Sequence, residues 1–166
     1  MSDKSKKIFL ALSIVVPFLI YCVYYYSNMI KNAPYRFTDF ESVDIRYGFP
    51  DSMLNHFNSK TADYEYLTKD GQLIKDTLRL RNDDLLYLHR KAQELGFWNV
   101  QDDMTTSAAD KKDLARVPRY TLTFKYKEKT KSVTMDADYA GNPKMFEAAR
   151  TTVDEVMRML ASAKTR

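Results

Sequence analysis

Cysteine, glycine and histidine are scarce in this chain of 166 residues, and each shortage removes a class of function. With 1 cysteine, Cys22, the chain can build neither an internal disulfide framework nor a multi-thiolate metal site. The 4 glycines, Gly48, Gly71, Gly96 and Gly141, are scattered, so no glycine-rich loop exists to cradle a phosphate. The 2 histidines, His56 and His89, have no metal-ligand partner at helical spacing, and no nucleophile elbow accompanies them. No motif implies a cofactor. A large charge of one sign is missing too: 26 Lys+Arg against 22 Asp+Glu leave +4, and the part beyond the N-terminal region is nearer neutral still. That balance excludes nucleic acid as the main partner, which calls for a strongly basic domain.

What is present is one long apolar run. Ile8 to Tyr26 carries no formal charge, and at about 1.5 Å per residue it reaches roughly 28 Å, enough for the hydrocarbon layer of a bilayer. Pro17 lies mid-span, where a lipid-embedded helix tolerates it, and Tyr24, Tyr25 and Tyr26 form an interfacial aromatic end. Signal-peptide cleavage needs small residues at −3 and −1, which Tyr21 to Asn28 does not offer, and Tyr21 is too bulky to precede a lipidated Cys22. The expected organisation is a cytoplasmic tail (1–7), a transmembrane anchor (8–26), a juxtamembrane linker (27–37) and a domain (38–166). Lys4, Lys6 and Lys7 precede the span and only Lys31 and Arg36 follow it closely. The positive-inside rule therefore favours a cytoplasmic N-terminus, an inner-membrane location and an extracytoplasmic domain, whose lack of thiols suits an oxidising compartment.

Within the domain, Val43, Ile45 and Tyr47 alternate with polar residues as a half-buried strand does. Ser52 to Asn58 reads as either a short strand or a helical turn. Asp70-Gly71 predicts a hairpin between Ala62–Leu67 and Gln72–Leu80. Asn82 is the expected cap of a helix with the stripe Leu85, Leu88, Ala92 and Leu95, which Gly96 stops, and His89 borders that stripe. Phe97 and Trp98 fold back on the core, and residues 101–117 read as an exposed loop. Arg119 to Lys127 is the clearest strand, with Tyr120, Leu122, Phe124 and Tyr126 on one side. Val133, Met135 and Ala137 face the core from its hairpin mate. Asn142 and Pro143 open a last helix with the stripe Phe146, Ala149, Val153, Val156, Met157 and Leu160. The expected fold is α+β: an antiparallel sheet of four or five strands with two helices on one face, in hairpin–helix–hairpin–helix order. The other sheet face, with Thr121, Thr123, Lys125, Lys127, Ser132 and Thr134, is polar and wet.

The Asp70-Gly71 hairpin, the helix ending Leu95-Gly96-Phe97-Trp98 and the Pro118-led strand before a basic hairpin resemble a group of bacterial domains of unknown function. In that group an anchor or lipoprotein signal precedes a small α+β domain. The stretch Asn28 to Tyr35 is similar to the juxtamembrane segment of single-span proteins from the Bacteroidota. The resemblance implies a bacterial cell-envelope location and no particular chemistry.

Three sets of residues are candidates for function. Arg119, Lys125, Lys127, Lys129 and Lys131 belong to a basic stretch starting at Lys111, where acidic residues are few. Such a patch attracts anionic lipid or an acidic envelope protein, or it simply solvates the sheet and protects its edge. The aromatics interleaved with it alternate to the opposite face, so they offer no stacking platform to single strands. Asp136, Asp138 and Glu147, with Gly141, match positions 1, 3, 12 and 6 of a calcium loop, although Ala140 and Pro143 break the template. Finally, Asp102, Asp103 and Asp113 supply carboxylates to a hydrolase or metal-dependent enzyme if residues 101–117 form a cleft. The leading expectation is a non-enzymatic interaction or accessory module, held in the bilayer by its anchor.

Overall fold

The computed structural model describes residues 3–31, 35–106 and 116–166. The chain divides into two units, Met1–Tyr35 and Arg36–Arg166. In the first, helix α1 runs from Asp3 to Lys31, longer than the expected span because flanking polar residues at both ends continue it. Pro17 lies inside it without ending it. Its segment Asp3–Tyr26, which contains an 18-residue window of mean hydropathy 2.3 with none of it buried, is long and apolar enough to be a membrane span or a signal sequence.

The second unit is α+β. Its strands are β1 (Phe40–Phe49), β2 (Ser52–Asn58), β3 (Asp63–Leu67), β4 (Leu73–Thr77), β5 (Asp103–Met104), β6 (Arg119–Tyr126) and β7 (Thr130–Asp136). They form one 7-stranded sheet in the order β4-β3-β2-β1-β6-β7-β5. Helices α2 (Asn82–Glu94) and α3 (Pro143–Lys164) follow β4 and β7.

This departs from the expected four or five antiparallel strands. Ser52–Asn58 is a strand, so β1 to β4 make a continuous meander before the first helix, and hairpin–helix–hairpin–helix order does not hold. The sheet is mixed because β5 runs parallel to β7. Part of the expected 101–117 loop is thus strand, and Met104 is fully buried beside Met135. Residues 107–115 of that loop lie outside the described residues.

Local chemistry explains the turns. β1 and β2 meet with a register shift at Gly48, where a Cβ would overlap the Ser52 carbonyl oxygen. Gly96 ends α2 in the left-handed conformation at φ +74°, which costs an L side chain energy. Asn142 caps α3 as its sequence indicates, accepting from the Lys144 and Met145 N–H groups. Asn82 does not cap α2. The capping position falls on Arg81, whose N–H donates to Asp84 Oδ2 at 2.9 Å, so the carboxylate one turn in does the work.

Alternation places the core. Val43, Ile45, Phe57, Leu122, Phe124, Val133 and Met135 point to one sheet face and are buried. Leu88 and Ala92 of α2 and Ala149, Val153, Val156 and Leu160 of α3 are buried with them. Both helices touch that same face: His89 of α2 packs on Tyr126, and Lys164 of α3 sits 3.8 Å over the Tyr66 ring. A side chain such as Leu88 contributes about 1.5–3 kcal/mol by leaving water. Phe97 and Trp98 fold back edge-on to Phe124. Ala137, expected in the core, lies exposed past the end of β7 because the strand stops at Asp136.

His89 is more than a boundary residue. It is buried, its Nδ1 lies 2.8 Å from the Tyr126 hydroxyl, and Phe37 and Trp98 flank its ring. Burial first, and Arg90 second, lower its pKa below the usual imidazole value. The unfolded chain therefore binds the proton more readily, and stability falls as pH drops below about 6.5 until the lower folded value is passed. His89→Gln is expected to flatten the fall in Tm across that window relative to the unaltered protein. An unchanged slope would remove His89 from the acid sensitivity. Independently, Leu88→Ala is expected to cost about 2–5 kcal/mol in urea unfolding.

Candidate functional site

The second sheet face is read directly from the pairing register. Thr134, Thr121, Arg46, His56, Glu65 and Lys75 are successive cross-strand partners, one polar row across β7, β6, β1, β2, β3 and β4. Ser132, Thr123, Asp44 and Asn58 form the adjacent row. Each of these residues keeps some contact with solvent, whereas on the other face Val43, Ile45, Phe57, Leu122, Phe124, Val133 and Met135 are buried and exposure rises toward β4. The polar face is thus the one that α2 and α3 leave uncovered.

Its centre is a hydrogen-bonded cluster on β1 and β2. Asp44 Oδ2 lies 2.7 Å from His56 Nε2 and accepts from Asn58 Nδ2 at 2.9 Å. Arg46 approaches the other carboxylate oxygen at 3.8 Å. Next to it, Thr121 and Thr134 hydroxyls meet at 3.1 Å and Thr123 and Ser132 hydroxyls at 2.8 Å. An open depression of ≈ 500 Å³ is lined by Asp44, Arg46, Met53, Thr121 and Thr123. Donors and acceptors across the face therefore hold one another in place, which gives a pre-ordered surface at little entropic cost.

The sequence left this cluster unassembled because Ser52–Asn58 read two ways. The signal was present: as a strand returning from the turn at Pro50-Asp51, it brings His56 opposite Arg46 and Asn58 opposite Asp44.

The basic stretch is dispersed by the fold. Lys125 pairs with Glu41 at 3.5 Å and Lys127 with Asp39 at 3.9 Å, both exposed rim pairs of small energetic weight. Lys129 lies in the β6–β7 turn, its carbonyl accepting from the Tyr126 N–H. Lys131 is not part of a solvated patch. Its register opposite Phe124 turns it to the core side, and it is buried there. Its ammonium donates to the Val100 carbonyl and Asp102 Oδ1, both at 2.5 Å. Arg119 lies at the other end of β6 from Lys125 and forms a two-point pair with Asp136 at 2.7 and 3.0 Å. Lys111 and Lys112 lie outside the described residues.

The calcium-loop residues do not converge. Asp136 is fully buried and committed to Arg119 and the Thr106 N–H, rather than facing solvent. Asp138 accepts from the Thr106 hydroxyl, and Glu147 is exposed on α3. Among the described residues no group of three His, Cys, Asp or Glu side chains is placed to hold a metal ion. The expected enzyme carboxylates fare similarly. Asp102 is exposed against Lys131. Asp103 accepts from the hydroxyl and N–H of Thr105, which hold its carboxyl below the usual range, so it is a poor proton donor near neutrality. Asp113 lies outside the described residues. No protein-family model matches the chain, and no curated protein matches it either.

The Asp136–Arg119 pair fastens β5 and the start of the following segment to β7, through the Thr106 N–H bond at 2.9 Å. Burial alone would raise the Asp136 pKa, but the Arg119 guanidinium and the Thr106 N–H outweigh it and hold the carboxyl low. A carboxylate depressed in the folded state stabilises above its unfolded value, about 3.9, and that stability is lost as pH falls through the folded value. Asp136→Ala is expected to cost about 3 kcal/mol by leaving Arg119 without its partner. Asp136→Asn should flatten the loss of stability below about pH 4. A loss under half a kcal/mol in the alanine variant would show the pair to be dispensable.

Proposed function

We propose that this chain is a single-pass membrane-anchored envelope protein whose α+β domain is a non-enzymatic interaction module, with the uncovered sheet face as its partner surface. The observation that carries this reading is the pair of polar rows across that face, pre-ordered by cross-strand hydrogen bonds. Small-molecule sites are concave and enclose most of their ligand. The depression beside Asp44 is instead open, and it sits within a broad surface of mixed donors and acceptors. That shape suits another envelope protein. Residues 8–26 supply the contact with the lipid bilayer, and the positive-inside bias supports an extracytoplasmic domain. The alternative, a tethered hydrolase using Asp102 or Asp103, draws no support from two exposed carboxylates held by Lys131 and Thr105.

Both halves of the proposal are tested in cells with the full chain. The protein is expected in the membrane fraction after an alkaline wash, with its N-terminus intact. An N-terminal sequence beginning beyond Ile20 would remove the anchor. A photo-crosslinking residue in place of Thr123 is expected to trap a protein adduct of defined mass, and the same residue in place of the exposed Arg150 on α3 is not. Equal adducts from both positions, or none from Thr123, would sink the partner surface.

A further inference from the structure

The same face changes character toward β4. Among the described residues of the domain four large apolar side chains are exposed: Phe49, Leu54, Leu67 and Leu73, at 50%, 43%, 42% and 40%. All four lie at the end of the sheet where β1 turns into β2 and β3 into β4. Leu67 and Leu73 are direct cross-strand partners, two residues along from the partnered Glu65 and Lys75. Since side chains two apart share a face, both pairs lie on the uncovered side, with Glu65 and Lys75 bridged at 2.8 Å. Leu54 flanks them on β2, two residues before His56. Isolated surface leucines need no explanation, but an apolar row beside paired charges marks a contact surface.

We infer that a second copy of this chain covers the β3–β4 hairpin, face to face, about a twofold axis running along the hairpin. The argument is self-complementarity. A twofold axis along the strands, midway between β3 and β4, keeps each position along the hairpin and exchanges the two strands. Leu67 then meets Leu73 of the other copy, and Leu73 meets its Leu67. One step along, Glu65 faces the other Lys75 and Lys75 the other Glu65, so two internal ion pairs become an alternating four-charge cluster. Aligned packing of two sheet faces is an established arrangement, and an isologous interface needs this kind of symmetry. With five paired residues from each strand, the hairpin offers a small contact against the roughly 800 Å² per partner of a standard interface, so the association is reversible, and it rests on the anchor proposed above to confine both copies to one membrane. It occupies the β3–β4 end and leaves Thr121 and Thr123 open, so it stands or falls apart from the partner surface proposed above.

The test uses charge. Full-length chains carrying, after Arg166, donor or acceptor fluorescent proteins of a kind that matures on either side of the membrane are co-expressed, and energy transfer is measured in membranes where both fluorophores are bright. The unaltered pair is expected to give transfer well above a monomeric membrane control. Glu65→Lys alone places four positive side chains at the cluster, Lys75→Glu alone places four negative ones, and each is expected to reduce transfer to the control level. Mixing the two variants restores opposite charges across the interface, though not within either chain, and is expected to restore transfer. That recovery also excludes misfolding as the cause of the loss. Control-level transfer in the unaltered protein would overturn the proposal and assign the leucine row to lipid or a different protein. So would transfer that survives both single reversals, or a mixture that stays dark.

Discussion

The placement of side chains in the domain depends on the register of β1 against its neighbours. β1 lies between β2 and β6, and its eight-residue pairing with β6 sets which face every other strand presents. A slip of one residue would send Asp44 and Arg46 into the core and bring Val43 and Ile45 to water. Burying those charges without partners costs far more than any single hydrogen bond returns, so the apolar alternation of β1 and β6 locks the register. The Asp44–His56–Asn58 cluster, the hydroxyl pairs of β6 and β7, and the Leu67–Leu73 row are consequences of that lock.

Two ion pairs at the β7 side serve a different purpose. Lys131 enters from the core face and reaches Asp102 and the Val100 carbonyl, while Arg119 crosses the polar face to Asp136. Together they fasten the residues after α2 to the last hairpin from opposite sides. A two-residue strand such as β5 has too few backbone bonds to hold itself, so the charged side chains stabilise what the ladder does not. Charges that look like a binding patch in the linear sequence are therefore partly spent on holding the edge of the sheet.

Much of the fold was legible because it depends on local chemistry. The uncharged run from Ile8 to Tyr26, the strict alternation from Arg119 to Tyr126, the Asp70-Gly71 turn, the Gly96 stop and the Asn142 cap each act within a few residues. Ser52–Asn58 was less legible because Met53, Leu54 and Phe57 satisfy neither a two-residue nor a helical period cleanly. Tertiary pairing with β1 decides it as a strand. Asp103–Met104 lacked any signal at all, since a parallel bridge to β7 is formed by residues about thirty positions apart.

The amino-acid sequence by itself determined the apolar N-terminal helix, the α+β class, and which face of β1, β6, β7, α2 and α3 is buried. These follow from periodicity and need no knowledge of distant contacts. The tertiary structure alone decided which partner each charge would have: Asp136 with Arg119, Asp44 with His56, Lys131 turned inward to Asp102, Lys125 and Lys127 to Glu41 and Asp39. Partners of that kind are chosen by strand register and by the shift at Gly48, which bring together residues far apart in the chain. A carboxylate and a cation carry no label for each other along the sequence, and only the geometry of the sheet sets them within reach.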